Sequence, residues 1–154
     1  MDVSAIWQSA AVSAATTAKS SLATDFVTGF ARIKDQKLEP VIGKHKETVK
    51  PRMAELWRSG RTLRVIAINL KSLQTIAGLA HDGLPAESTL DYTIATAIKS
   101  VESLSGDLGT VAAGSQRADV IFLADAVGAA EDRALAEFPV ALDVTIGFSS
   151  LDGD

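Results

Sequence analysis

The chain contains no cysteine, only one tyrosine and two tryptophans, and just four prolines in 154 residues. Each shortage excludes something. Without cysteine there is no disulfide framework, no thiolate nucleophile and no sulfur-ligated zinc. Few aromatics mean that a core built largely from alanine lets helices approach closely but buries little area per residue. No stretch of about twenty uninterrupted apolar residues exists, so no transmembrane helix is expected. The first residues lack the basic start of a secretory signal, because no Lys or Arg precedes Lys19 and Gln8, Ser9, Ser13, Thr16 and Thr17 interrupt the apolar run. A cytoplasmic location, or a particle assembled there, is the expectation.

Catalytic constellations are equally scarce. The two histidines, His45 and His81, stand apart from the acidic C-terminal half, where Asp119, Asp125, Glu131 and Asp132 have no histidine at metal-ligand spacing. His81 ends a helix, where a cation complements the dipole. Gly106, Gly109 and Gly114 faintly resemble a phosphate loop, yet neither GK[ST] nor GxGxxG occurs, and Asp107 would repel an anion. No serine sits in a GxSxG turn. The sequence therefore predicts no catalytic residues, no metal, no cofactor and no enzyme.

What is present is helical periodicity. Trp7, Ala11, Ala14, Ala18, Leu22, Phe26 and Phe30 recur in steps of three and four and predict an N-terminal amphipathic helix over residues 1–34. It carries too few basic residues for a membrane-surface helix. Asp35 to Gly43, with a proline, a glycine and no period, reads as a connection. Thr48 is a candidate cap, and Val49, Leu56, Leu63, Leu70 and Ala77 then repeat every seven residues, joined by Ile66, Leu73 and Ala80. This predicts a coiled-coil-like seam that is clean from Leu63 to Ala80, with Gly60 inviting a break. Gly83 and Pro85 end that helix. Ser88 and Asp91 resemble a capping box before a helix marked by Leu90, Ile94, Ala97, Val101, Leu104 and Leu108, packed antiparallel to the preceding one. Val120, Leu123, Val127, Ala130 and Ala134 mark a last helix that ends at Phe138.

Pro139 to Ser149 breaks this pattern, since Val140, Leu142, Val144, Ile146 and Phe148 alternate as in a half-buried strand. In a mainly α chain of about four helices, over residues 48–138 plus the N-terminal helix, such a strand lacks a partner. Pairing with a neighbouring subunit is one solution. The other is an α/β fold in which Val120–Leu123 and Arg64–Leu70 are strands of a small sheet, making a ligand-binding domain or small enzyme.

Charge is bipolar. Residues 1–75 hold twelve Lys/Arg against six Asp/Glu, and residues 76–154 three against thirteen. The basic tract at 32–71 places Trp57 among Arg58, Arg61 and Arg64 and, on a continuous helix, would present an outward basic stripe. Such a stripe suits the acidic half of a neighbouring copy or a nucleic-acid backbone. The sequence thus points to a non-enzymatic structural subunit of one domain, a homo-oligomer or part of a virion, tail or secretion-type assembly, with a nucleic-acid-binding accessory protein as the alternative. Its expected contact residues are Val140, Leu142, Val144, Ile146, Phe148, Trp57, Arg58, Arg61 and Arg64.

Overall fold

A computed structural model describes residues 3–146, all helix, turn or loop. The elements are α1 (Val3–Ala31), a π-helical segment (Arg32–Leu38), α2 (Glu39–Ile42), α3 (Thr62–Leu79), α4 (Leu90–Ser103), α5 (Leu108–Ala113) and α6 (Arg117–Ala141). Short 3₁₀ turns at Lys46–Thr48, Pro51–Met53 and His81–Gly83 join them. Helices α1, α3, α4 and α6 form a four-helix bundle in which each packs on the next and α6 closes back on α1. Their neighbours run antiparallel: His81 and Lys71 of the α3 side meet Asp91 and Glu102 of α4, Ser88 meets Glu137, and Phe26 and Lys34 meet Phe138 and Glu131. None of the described helices is long and apolar enough to cross a membrane.

The seam from Leu63 to Ala80 is realised as read, with Leu63, Ile66, Leu70, Leu73, Ala77 and Ala80 all buried. It packs inside this one bundle, against α1 and α4, and is not half of a coiled coil. Val49 and Leu56 lie outside it because the chain before Thr62 is a series of turns. Leu56 and Gly60 both adopt positive φ, at 58° and 63°, and Gly60 closes a turn back on the Leu56 carbonyl. Thr48 caps no long helix, since its hydroxyl exchanges bonds with the His45 backbone. The expected outward stripe of a continuous basic helix is thereby broken.

The segment read as a connection after Asp35 is helical, and its apolar spacing shows why. Ile33 is buried, the next four residues are polar, and Leu38 is buried again. In an α-helix a step of five leaves the inner face. A π turn, with i to i+5 bonds, brings Leu38 back beneath Ile33, and the Glu39 N–H bonds to the Lys34 carbonyl accordingly. The widened turn also accommodates Pro40, which lacks an N–H and would crowd the preceding carbonyl in a regular helix. The rod ends at Gly43, whose φ of 61° and closeness to Thr48, whose carbonyl oxygen lies 2.4 Å from where a Cβ would stand, leave room for glycine alone.

No strand occurs among the described residues, which corrects both the C-terminal strand and the α/β alternative: Arg64–Leu70 and Val120–Leu123 lie within α3 and α6. Pro139 sits in the last turn of α6, where only one backbone bond is forfeited. Beyond it, the Val144 N–H donates to the Pro139 carbonyl and the Asp143 N–H to that of Val140, both at 3.0 Å. Asp143 has a φ of 54°. This is a Schellman closure with aspartate in the left-handed position. Val140 is consequently exposed, while Leu142, Val144 and Ile146 fold back as half-buried neighbours of the core. Phe148 lies outside the described residues.

Three phenylalanines tie α1 to α6. Phe26 stacks on Phe138 at 4.0 Å and meets Phe30 edge-on at 5.3 Å, and all three are fully buried. Upstream, residues 8–22 of α1 are solvent-exposed apart from Ser20, which is half-buried, so the helix stands out from the bundle over its alanine-rich half. Replacing Phe138 with Ala is expected to cost about 3–5 kcal/mol, from lost burial plus the cavity left behind. Urea denaturation of the folded variant measures this.

Glu131 on α6 faces the Lys34 ammonium at 3.9 Å. Burial raises its pKa above the ordinary carboxylate value, Lys34 opposes the rise, and Asp35, Asp132 and Glu39 add to it. A raised acid pKa means that the fold favours the neutral carboxyl. Its contribution to stability is fully present below the unfolded pKa and is lost as pH rises through the folded one. Glu131→Gln is therefore expected to be more stable than wild type at neutral pH, with the difference vanishing on acidification below the ordinary carboxylate range. Paired urea titrations at the two pH values give the sign.

Candidate functional site

A broad concavity follows α4. Its outward face carries Tyr92, Ala95, Thr96, Lys99 and Ser103 at helical spacing, and Gln74 of α3 with Asp119 and Phe122 of α6 flank it, enclosing about 670 Å³. A second hollow of about 490 Å³, between Thr89, Tyr92 and Thr93 of the α4 end and Ala129, Asp132 and Arg133 of α6, shares Tyr92 with the first. The two hollows lie side by side along α4 and α6, with Tyr92 between them. Two aromatic rings stand in water beside the first, Tyr92 at 74% and Phe122 at 55% exposure. Hydroxyl, amide, ammonium and carboxylate groups line the same concavity, so this groove offers ring faces together with donors and acceptors of both signs.

At the start of α4 lies a smaller, more enclosed pocket of about 200 Å³ lined by His81, Leu84, Pro85, Ala86, Ser88 and Asp91. His81 Nδ1 is 3.5 Å from the Asp91 carboxylate. The Ser88 hydroxyl donates to Glu137 at 2.5 Å and accepts from the Leu90 N–H at 3.3 Å. Ser88 and Asp91 thus do not close the expected capping box; the serine instead ties the α4 start to α6. Glu137 is buried, and Arg133 stands 3.6 Å from its other oxygen. A serine bonded to a carboxylate is the first element of nucleophile activation, but here the same oxygen also satisfies a backbone N–H at a helix start. Gly83 packs so closely on α6 that a Cβ would lie 2.3 Å from the Ala141 carbonyl oxygen, which fixes this corner.

The expected contact residues divide into separate places. Trp57 is exposed in the turn before α3, with the Arg52 and Arg58 guanidinium carbons 5.8 and 5.3 Å from its ring, within the range of cation–π attraction. Arg61 precedes α3 and Arg64 is exposed on its first turn. Val140, Leu142, Val144 and Ile146 belong to the end of α6 and its closure. The glycine-rich stretch holds α5, where Asp107 accepts from the Gly109 and Thr110 N–H groups, the aspartate serving as a helix cap. Gly109 is needed because a Cβ there would stand 2.4 Å from Pro51.

Basic and acidic halves meet within the chain. Lys71 pairs with Glu102 at 2.6 Å and Lys34 with Glu131, while Lys37 pairs with Glu55 inside the basic tract. Sequence reasoning missed Tyr92 and Phe122 because both sit off the apolar rows used to find helices. Glu137 was hidden next to Phe138 at the point where the period was read as ending. Among the described residues no group of three or more His, Asp or Glu side chains is placed to hold a metal ion.

No curated protein matches the chain significantly, and neither does any solved structure. The family model for imelysin, designated peptidase family M75, matches residues 2–139. This corrects the role expected from the sequence, a self-assembling subunit of a virion, tail or secretion-type particle, which rested on a strand that the fold replaces with the end of α6. The match spans nearly the whole chain, and the chain belongs to the imelysin family.

Proposed function

We propose that this imelysin-family domain binds an extended polypeptide in the groove along α4 and α6 and does not cleave it. The observation that carries the reading is the pairing of two exposed aromatic rings, Tyr92 and Phe122, with polar groups lining the same concavity beside α4. The fourteen residues of α4 span about 21 Å at the α-helical rise. That length accommodates six or so residues of extended chain. Ring faces take apolar side chains of a bound segment, while Thr96, Lys99, Ser103, Asp119 and Gln74 meet its backbone and polar groups. Membership of a family designated as peptidases supports a polypeptide as the ligand.

The pocket at the α4 start supports binding without cleavage. Ser88 is fixed by both Glu137 and the Leu90 N–H, and His81 is turned to Asp91. No histidine is bonded to the serine among the described residues, so a nucleophile and its base are not assembled there. Fluorescence anisotropy with a labelled, unstructured peptide mixture is expected to show saturable binding. Tyr92→Ser and Phe122→Ser together are expected to weaken it at least about tenfold, with the circular dichroism unchanged because both side chains are exposed. Unaltered affinity in the double variant removes the groove as the site. Cleavage of the peptides, seen by mass spectrometry and lost in Ser88→Ala, overturns the non-catalytic reading.

A further inference from the structure

Where the N-terminal rod ends, Arg117 of α6 reaches across to it. Nη1 donates to the Ile42 carbonyl at 2.8 Å and to that of Ala112 at 3.3 Å, and Nη2 donates to the Gly43 carbonyl at 3.0 Å. A guanidinium has five N–H donors. Nε makes none of these bonds, so donor capacity remains on the group, and a guanidinium is the side chain suited to receive the oxygens of a carboxylate. Every acceptor now on Arg117 is a neutral carbonyl, and among the described residues no carboxylate lies within salt-bridge distance of it. The cation is held rigid, half-buried and uncompensated.

Arg117 lines a cavity of about 420 Å³ together with Glu39, Ile42, Gly43, Lys44, Ile121 and Ala124. The cavity shares no lining residue with the groove along α4. It combines two cations, one carboxylate and an apolar wall that includes the 40% exposed Ile121. We propose that this cavity is a carboxylate-binding site for the carboxyl end of an apolar amino acid, with the unspent N–H donors of Arg117 binding the carboxylate. Lys44 adds attraction, Ile42, Ile121 and Ala124 receive the side chain, and Glu39 disfavours ligands with a second negative charge. A free amino acid and the last residue of a peptide share this chemistry.

Titration calorimetry of the full chain with leucine, N-acetylleucine and leucinamide tests the site. The expected result is binding of a carboxylate ligand at least about tenfold tighter than the amide, weakened by salt. Stronger binding of leucine than of N-acetylleucine assigns a free amino acid, and the reverse order assigns a peptide end. Because Arg117→Gln removes two bonds that join α6 to the rod and one to α5, and could unfold the protein, the decisive variants are Ile121→Glu and Lys44→Glu on the cavity surface. Each is expected to lower affinity at least about tenfold without changing the unfolding midpoint by more than a degree or two. Equal binding of acid and amide, no heat at about 10 mM ligand, or unchanged affinity in both variants overturns the proposal. Its failure leaves the peptide groove untouched, since the two sites have no residue in common.

Discussion

Phe26 stacked on Phe138 fixes how the N-terminal rod meets the last helix, and most other placements follow from that contact. With few aromatics available and an alanine-rich helix to hold, the bundle concentrates its largest buried side chains at this one crossing. Ring stacking adds to area burial and sets the rotation of α6 about its axis. That rotation turns Glu137 inward to Ser88 and, six turns away, brings Arg117 against the carbonyls that end the rod. One aromatic contact thus orients both ends of a 25-residue helix.

The electrostatics follow from the same antiparallel arrangement. A chain with basic and acidic halves folds so that Lys71, Lys37 and Lys34 find Glu102, Glu55 and Glu131. Of these, Glu102 and Glu131 lie in the acidic half, and Glu55 sits within the basic tract. Exposed pairs of this kind contribute little stability. Their effect is to dissipate a bipolar field that, in an extended chain, invites contact between copies. Arg117 differs in being half-buried and bonded to backbone carbonyls.

Periodicity made the interior of this fold legible. Leu63 to Ala80 and Leu90 to Val101 showed their buried faces in the sequence because an α-helix in a bundle must repeat its apolar residues every three or four positions. Two stretches misled for reasons that local pattern cannot reveal. Between Ile33 and Leu38 a wider turn supplied the periodicity that the residues lack. After Phe138 the alternation of valines and leucines was overridden by a helix already packed on Phe26, then closed by Asp143 in a left-handed conformation. The candidate sites were less legible than the core. Tyr92, Phe122 and Ile121 matter because they are exposed beside a concavity, and concavities arise only from tertiary packing. Arg117 gives no signal in sequence at all, since what distinguishes it is which of its donors remain unspent.

The π-helical segment also says how this rod tolerates changes in chain length. Leu38 follows Ile33 by a step of five positions where a regular helix needs four, and the surplus is absorbed as girth, leaving the apolar face continuous on either side. Removing any one of Lys34, Asp35 or Gln36 would put the two apolar residues at ordinary helical spacing and keep Val41 and Ile42 facing the core, with Pro40 the one residue that resists the narrower turn. An equivalent loss in α3 would rotate Leu70, Leu73 and Ala77 out of the seam together. The widened turn is therefore a place where the loss of one residue keeps the apolar face in register.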